Sequence, residues 1–384
     1  MIEIAGSEIV LPDRVIGPGT IVIDGDRILE VRQGADAPPE GRYIVPGFID
    51  VHVHGVEGAD TLDGGDVVRR IARRLPRFGV TAFCPTTVAC TPDALRTMLA
   101  DVRAARVNRH EAAARVLPAH LESNFINPDF KGAQPLACLR SPAGPWVDGD
   151  FTGADILAGI AAARPDVGIV TLAPELDGAL DVIRDLVSQG HRVSLGHSGA
   201  TYEEALAGIA AGASQATHLF NRMTPLTHRA PGLAGAVLDH PDVTAEVVCD
   251  GVHVHPAAVR LALAAKGPAG VMAITDGTAG SGLPQGSTAS LGGRRITVKD
   301  VAYLDDGTIA GSVLTMDQAF RMLVRTTGVG LVPAVQMCAT TPARALGLHG
   351  LGTLAPGMFA DLVVLDADLR VVQTCIAGRL AWGV

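Results

Sequence analysis

The stretch Gly47-Phe-Ile-Asp-Val-His-Val-His-Gly55 decides how the rest of the chain is read. Its apolar residues form a run of strand length with glycine on either side, the pattern of a short, well-buried β-strand over 47–53. Side chains alternate with a period of two, so His52 and His54 project to one side and Val51 and Val53 to the other. A strand that delivers two imidazoles in one direction is a candidate edge of a site, although His-x-His alone occurs often in packing and on surfaces.

Working outward, seven more short apolar runs follow: Val80 to Pro85, Val116 to Leu121, Gly168 to Leu172, Arg192 to Gly196, Gln215 to Leu219, Thr244 to Cys249 and Gly270 to Thr275. Helical patterns separate most of them, clearest over Pro92 to Arg106, Leu176 to Ser188 and Pro256 to Lys266. In the second, Leu176, Leu180, Ile183 and Val187 share one face, and Gly190 follows as a stop. Eight strand–helix repeats over about 240 residues predict an α/β fold, a (β/α)8 TIM-like barrel, with an open doubly wound sheet as the competitor. No repeat of solenoid length is visible.

The two ends read differently. Thr20 to Val31 holds two β-rich runs around a glycine-containing turn, and Ala360 to Val372 holds two more around an aspartate-rich turn. Neither end can bury a sheet face alone, so they are expected to pack together as a small β-sandwich domain. The expected division is 1–46 with 350–384 for the β domain and 47–349 for the barrel.

Composition narrows the function. The 384 residues are 48% hydrophobic and 18% charged, a globular balance, and the net charge of −9 argues against nucleic acid or an anionic membrane as the main partner. There is no apolar run of membrane length and no signal-peptide pattern at the start, which reads as a soluble, cytoplasmic protein. Six scattered cysteines read as reduced, mostly buried thiols.

The polar residues that stand out sit at strand ends, and in a barrel the loops after the strands build the site. Besides His52 and His54, these are Glu122 after the third run, His197 after the fifth, His218 in the sixth, His253 after the seventh and Asp276 after the eighth. Each alone is weak evidence, since a carboxylate after a strand commonly caps a helix. Together they would converge in a barrel, and imidazole with carboxylate suits Zn²⁺, Fe²⁺ or a similar divalent ion. A catalytic metal fits better than a structural zinc, which would draw cysteine-rich ligands from neighbouring loops.

Nearly the whole chain resembles the amidohydrolase superfamily, and within it the N-acetylglucosamine-6-phosphate deacetylase family. The matching blocks are Pro46 to Gly55, His120-Leu-Glu122, Gly196-His-Ser198, His218 to Asn221, His228 to Gly235, Asp250 to His255, Ile274-Thr-Asp276, Gly311 to Asp317 and Leu354 to Leu362. The resemblance implies metal-dependent hydrolysis of the acetamide of an acetylated amino-sugar phosphate. It implies that Glu122, His197 and His218 hold the principal metal, that His52 and His54 hold a second where one is bound, and that Asp276 is the catalytic carboxylate. The expected ion is zinc, one or two per subunit, with iron, cobalt or manganese as alternatives. Asn221, Arg222 and Arg229 match the family's phosphate site. Relatives are dimers in which the Arg229 loop reaches the partner's site, so a homodimer with shared pockets is expected.

Some superfamily relatives bridge two metals with a carboxylated lysine on the fourth strand. Here none of the three lysines (Lys131, Lys266 and Lys299) falls at a strand end, so Glu122 must serve as any bridge. Two departures bear on substrate. Ser123-Asn124 replaces the family's usual Gly-Pro, and Gln134 stands where the family usually has a histidine near the sugar. They keep open a deacetylase for N-acetylgalactosamine 6-phosphate or another acylated amino sugar. A non-catalytic sugar-phosphate-binding homologue is disfavoured, because the metal ligands and Asp276 are all present. In the expected reaction Asp276 takes a proton from metal-activated water and returns it to the departing amine, while His253 stabilises the oxyanion. His255 is assigned to structure, and His120 to possible support of Glu122.

Overall fold

The computed structural model describes residues 1–34, 40–143 and 149–383. Eight strands form the centre: β1 (Phe48–Val53), β2 (Val80–Thr87), β3 (Ala119–Glu122), β4 (Val167–Leu172), β5 (Arg192–Leu195), β6 (Gln215–Ala216), β7 (Thr244–Val248) and β8 (Val271–Ile274). Each pairs in parallel with the next, from β1 through to β8. The barrel closes just beyond β8. There Asp276 N–H donates to the His52 carbonyl at 3.0 Å, and His54 N–H donates to the Gly277 carbonyl at 2.8 Å.

A side-chain pair reinforces that seam. The Asp50 carboxylate is fully buried and accepts from Thr275 Oγ1 at 2.6 Å and from the backbone N–H groups of Thr275 and His52. Burial pushes the Asp50 carboxyl up to about 7, against the pull of those donors.

Helices pack around the barrel as the periodicity predicts, with local corrections. Pro92–Val107 starts at a Thr91 cap with proline at its first position and buries Leu95, Met98, Leu99, Val102 and Ala105. His255 caps Pro256–Lys266 by accepting from Ala257 N–H at 3.1 Å, the structural duty assigned to it. The helix expected from Leu176 begins instead at Ala179, because Gly178 adopts a left-handed conformation. Its buried face is Ala179, Val182, Ile183 and Leu186, and Val187 is 37% exposed. The third strand is shorter than expected because Pro118 separates Arg115–Val116 from β3. The sixth ends at Ala216, since the chain turns sharply through His218.

The two chain ends do meet. A six-stranded sheet interleaves Glu8–Val10 and Tyr43–Pro46 with Leu362–Leu365, Val371–Ile376 and Arg379–Gly383, with Val15–Ile16 at the edge. A three-stranded sheet of Ile2–Gly6, Gly19–Asp24 and Arg27–Gln33 lies against it. Alternation sends Ile44, Leu362 and Val364 into the core between the sheets, and Val45, Val363 and Leu365 into the barrel core. Both faces are therefore buried, and each such side chain is worth about 1.5–3 kcal/mol. We propose the division 1–46 with 350–384 and 47–349; residues 35–39, 144–148 and 384 lie outside the described residues. An additional antiparallel sheet, Thr288–Leu291, Arg294–Val298 and Ala302–Leu304, is inserted after β8 and was not legible as such in the sequence.

Thr275→Val should destabilise the protein by about 1–3 kcal/mol, because it leaves buried Asp50 without its hydroxyl donor. Thr275→Ser should remain near wild type. Equal unfolding midpoints for all three proteins in urea would show that the seam does not depend on this bond.

Candidate active site

The barrel brings one carboxylate and four imidazoles to the same end. Glu122 is the last residue of β3, His52 lies in β1 with His54 just beyond it, and His197 and His218 follow β5 and β6. Glu122 Oε1 lies 2.8 Å from His197 Nε2 and 2.9 Å from His218 Nε2, and those two nitrogens are 3.1 Å apart. On the other side, His52 Nε2 and His54 Nε2 are 3.2 Å apart, and His54 Nε2 is 3.6 Å from Glu122 Oε2. Asp276 Oδ1 completes that edge, 3.2 Å from His54 Nε2 and 3.5 Å from His52 Nε2. Glu122 with His197 and His218, and Glu122 with His52 and His54, are each compact enough to ligate one ion.

Backbone strain collects here. His197, His218, Phe220, Arg222 and Asp276 all have positive φ, between 33° and 76°. Non-glycine residues seldom occupy that region, and they do so where the surrounding structure fixes them for a purpose.

The electrostatics follow from burial among few partners. Burial alone would raise the Glu122 carboxyl, but His197, His218 and His52 hold it well below the usual carboxylate range. Burial would lower His218, yet the hydrogen bond and charge of Glu122 raise it to about 9. His52 has no such direct bond to Glu122, and burial takes it down to about 4. Asp276 is lowered despite its burial, chiefly by His52 and His54.

A cavity of about 500 Å³ opens above this cluster. Its lining includes Gln134, Asn221, Arg222 and His253 as well as Asp276, Glu122, His54, His197 and His218. His253 gives Nδ1 to Asp250 at 2.6 Å, which leaves Nε2 for the cavity. Burial lowers the His253 ring, but Asp250 outweighs it and the net shift is upward. Arg229 is different: it is exposed and does not line the cavity of its own chain.

The two sequence departures have separate explanations. Ser123 donates to the Thr171 carbonyl at 2.5 Å, and Asn124 donates to the carbonyls of Cys90 and Cys138, so both brace backbone outside the cavity. Gln134 lines the cavity, but its oxygen accepts from Ala89 N–H at 2.7 Å and its nitrogen donates to Glu122 Oε2. Both ends of its amide are thus engaged, one by Ala89 and one by Glu122. His120 does not support Glu122 as its strand parity suggested. Instead it bonds to the Val51 carbonyl and to Thr171 Oγ1.

Sequence reasoning missed Glu246, which is 0% exposed in the middle of β7 and lies 2.9 Å from His52 Nδ1. The signal was present as one carboxylate inside the apolar run Thr244-Ala-Glu-Val-Val-Cys249.

Known proteins resemble this chain over most of its length. The Amidohydrolase family model matches residues 43–381. The chain is 38% identical to N-acetylglucosamine-6-phosphate deacetylase of Rattus norvegicus, over 96% of this chain and 94% of that protein. It is 37% identical to N-acetylgalactosamine-6-phosphate deacetylase of Escherichia coli O157:H7, over 89% and 88%. The structure of a Mycobacterium smegmatis N-acetyl-D-glucosamine-6-phosphate deacetylase variant, in complex with N-acetyl-D-glucosamine-6-phosphate, superposes with a TM-score of 0.88 at 34% identity and 99% coverage of each chain.

Glu122→Ala should weaken metal binding by more than the roughly 10–100-fold typical of outer-sphere changes, because it removes the carboxylate that His197 and His218 share. Metal analysis after dialysis reads this directly. Stoichiometric metal in the variant would place the centre elsewhere.

Proposed function

The chain belongs to the amidohydrolase family, and from that membership we propose that it hydrolyses the acetamide of N-acetylglucosamine 6-phosphate to glucosamine 6-phosphate and acetate. The observation that carries this reading is Asp276, 8% exposed, set against His52 and His54 at the floor of the cavity beside the Glu122–His197–His218 cluster. The substrate class is supported by the relatives, most directly by the structural neighbour that holds N-acetyl-D-glucosamine-6-phosphate.

The residues fit a divalent ion. The Nε2 atoms of His52, His54, His197 and His218 converge on the Glu122 carboxylate, a nitrogen–oxygen donor set of the kind such ions take. Glu122, His197 and His218 would hold the principal ion, and His52 and His54 a second. We take the ion to be zinc, in keeping with an imidazole–carboxylate donor set. A bound ion supplies Lewis acidity toward the amide carbonyl and makes water more acidic.

The chain's own groups do the rest. Asp276 accepts the proton of the attacking water and returns it to the nitrogen as the C–N bond breaks, so one carboxylate is base and then acid. His253, as the imidazolium that Asp250 favours, donates from Nε2 to the oxygen that gains negative charge. Asn221 and Arg222 lie on the cavity wall, where amide and guanidinium donors would take the phosphate. Gln134 stays in this reading as a wall residue near the sugar. Arg229 would reach the phosphate from a second copy of the chain in a homodimer, a reading supported by its exposure outside its own cavity.

The Escherichia coli relative gives a second reading, the galacto epimer, so the assay should include both sugars. Among the described residues no helix is long and apolar enough to cross a membrane. The proposed location is the cytoplasm, supported by six free cysteines and a phosphorylated substrate that membranes retain.

Asp276→Asn should lower kcat by roughly 10² or more with little change in substrate binding, as general acid–base groups commonly do. A loss confined to KM would assign Asp276 to substrate positioning alone. Arg229 is tested by complementation. If it serves the partner's pocket, a refolded equal mixture of Asp276→Asn and Arg229→Ala should recover roughly a quarter of wild-type activity at low substrate. In such a mixture about half the dimers are mixed, and each of those has one intact pocket of two. No recovery, with mixed dimers verified by mass spectrometry, would return Arg229 to its own subunit or to the surface.

A further inference from the structure

We propose that Glu246 is a positioning residue for the metal centre, aligning His52 and the strained turn that presents His218; the inference rests on the metal-dependent reading above.

Burying a carboxylate is costly. Glu246 sits in β7 between Ala245 and Val247, fully buried, where an apolar side chain like its neighbours would pack without desolvating a charge. Among the described residues no lysine or arginine neutralises it by an ion pair. Its partners are parts of the site. Oε2 lies 2.9 Å from His52 Nδ1, so the ring donates there and directs Nε2 toward His54 and Asp276. The same oxygen accepts from His218 N–H at 3.4 Å, and the Glu246 carbonyl accepts from Leu219 N–H at 2.8 Å.

Two ligands from opposite parts of the barrel, one in β1 and one after β6, are thus tied to a single residue of β7. His218 has a φ of 33°, a conformation that persists only where neighbouring bonds over-determine it. Glu246 supplies two of those bonds, one from its side chain and one from its backbone.

The group is not a third ion site. Although His52, His120 and Glu246 cluster closely, His120 Nδ1 is engaged with the Val51 carbonyl at 2.9 Å and its Nε2 with Thr171 at 2.8 Å. His52 likewise turns its Nδ1 to Glu246 and its Nε2 to the cavity side. What remains is a carboxylate that fixes the tautomer and direction of one imidazole, the arrangement by which outer groups set metal affinity.

The test uses Co²⁺ as the probe, with wild type, Glu246→Gln and Glu246→Met. Three quantities are read: Co²⁺ affinity by chelator competition, the visible Co²⁺ spectrum, and the melting temperature of the metal-free protein. Glutamine keeps an acceptor oxygen but loses the charge, so affinity should fall about tenfold while the metal-free melting temperature holds or rises. Methionine keeps volume and removes the acceptor, so affinity should fall toward 100-fold with an altered spectrum.

A merely structural role would move affinity and metal-free stability together, or stability alone, and either pattern overturns the proposal. Wild-type affinity and spectrum in both variants also overturns it. Should the methionine variant fail to fold, the glutamine variant decides alone, and an affinity within twofold of wild type refutes the role. If the wild-type protein itself takes up no Co²⁺, the metal reading falls first and this one with it.

Discussion

A buried carboxylate has to be matched by donors, and Glu122 is matched by the two imidazoles of His197 and His218 at under 3 Å from a single oxygen. The same carboxylate tolerates burial only because those rings hold it ionised. Much of the active end is arranged to keep that cluster intact. The chain accepts left-handed backbone at His197 and His218, spends a second buried carboxylate on His52, and turns Gln134 inward against the free oxygen of Glu122. Within that cluster the imidazoles and carboxylates neutralise one another, and in the metal centre proposed above the same atoms would be the ligands.

That convergence depends on a closed barrel. β1 brings His52 and His54, and the turn after β8 brings Asp276, so the distance between them is set at the seam. Backbone bonds from Asp276 to His52 and from His54 to Gly277 cross it within a residue of the chemistry. The outer β unit serves the same end indirectly. Its six-stranded sheet buries Val45, Val363 and Leu365 against the barrel and so anchors the chain immediately before β1.

The inserted sheet after β8 closes the cavity from another side. Leu291 lines it, and Arg294 donates to the carbonyl of Ala133, next to Gln134. The loop that carries Gln134 is therefore held from both ends, by Asn124 on the Cys138 carbonyl and by Arg294 on Ala133. Of the departures from the family pattern, Asn124 braces this loop, Ser123 ties to β4 through the Thr171 carbonyl, and Gln134 is a partner for Glu122 as well as a cavity wall.

The order of the barrel strands, the joining of the two ends and the identity of the polar residues at strand ends were legible in the sequence. These are encoded in local periodicity and in residue type, which need no knowledge of distant neighbours. It was less reliable where a single residue overrides a pattern: Gly178 moved a helix start past Leu176, and Pro118 shortened β3. Which buried groups touch was settled by packing. His120 and Glu122 share a strand face, yet His120 turns to Val51 and Thr171, and the ring that needs a carboxylate, His52, finds Glu246, 194 residues away. The pairing of β7 with β8, and of the turn after β8 with β1, brings that carboxylate beside His52 in the barrel interior, and a contact made through space leaves no periodicity in the chain to be read.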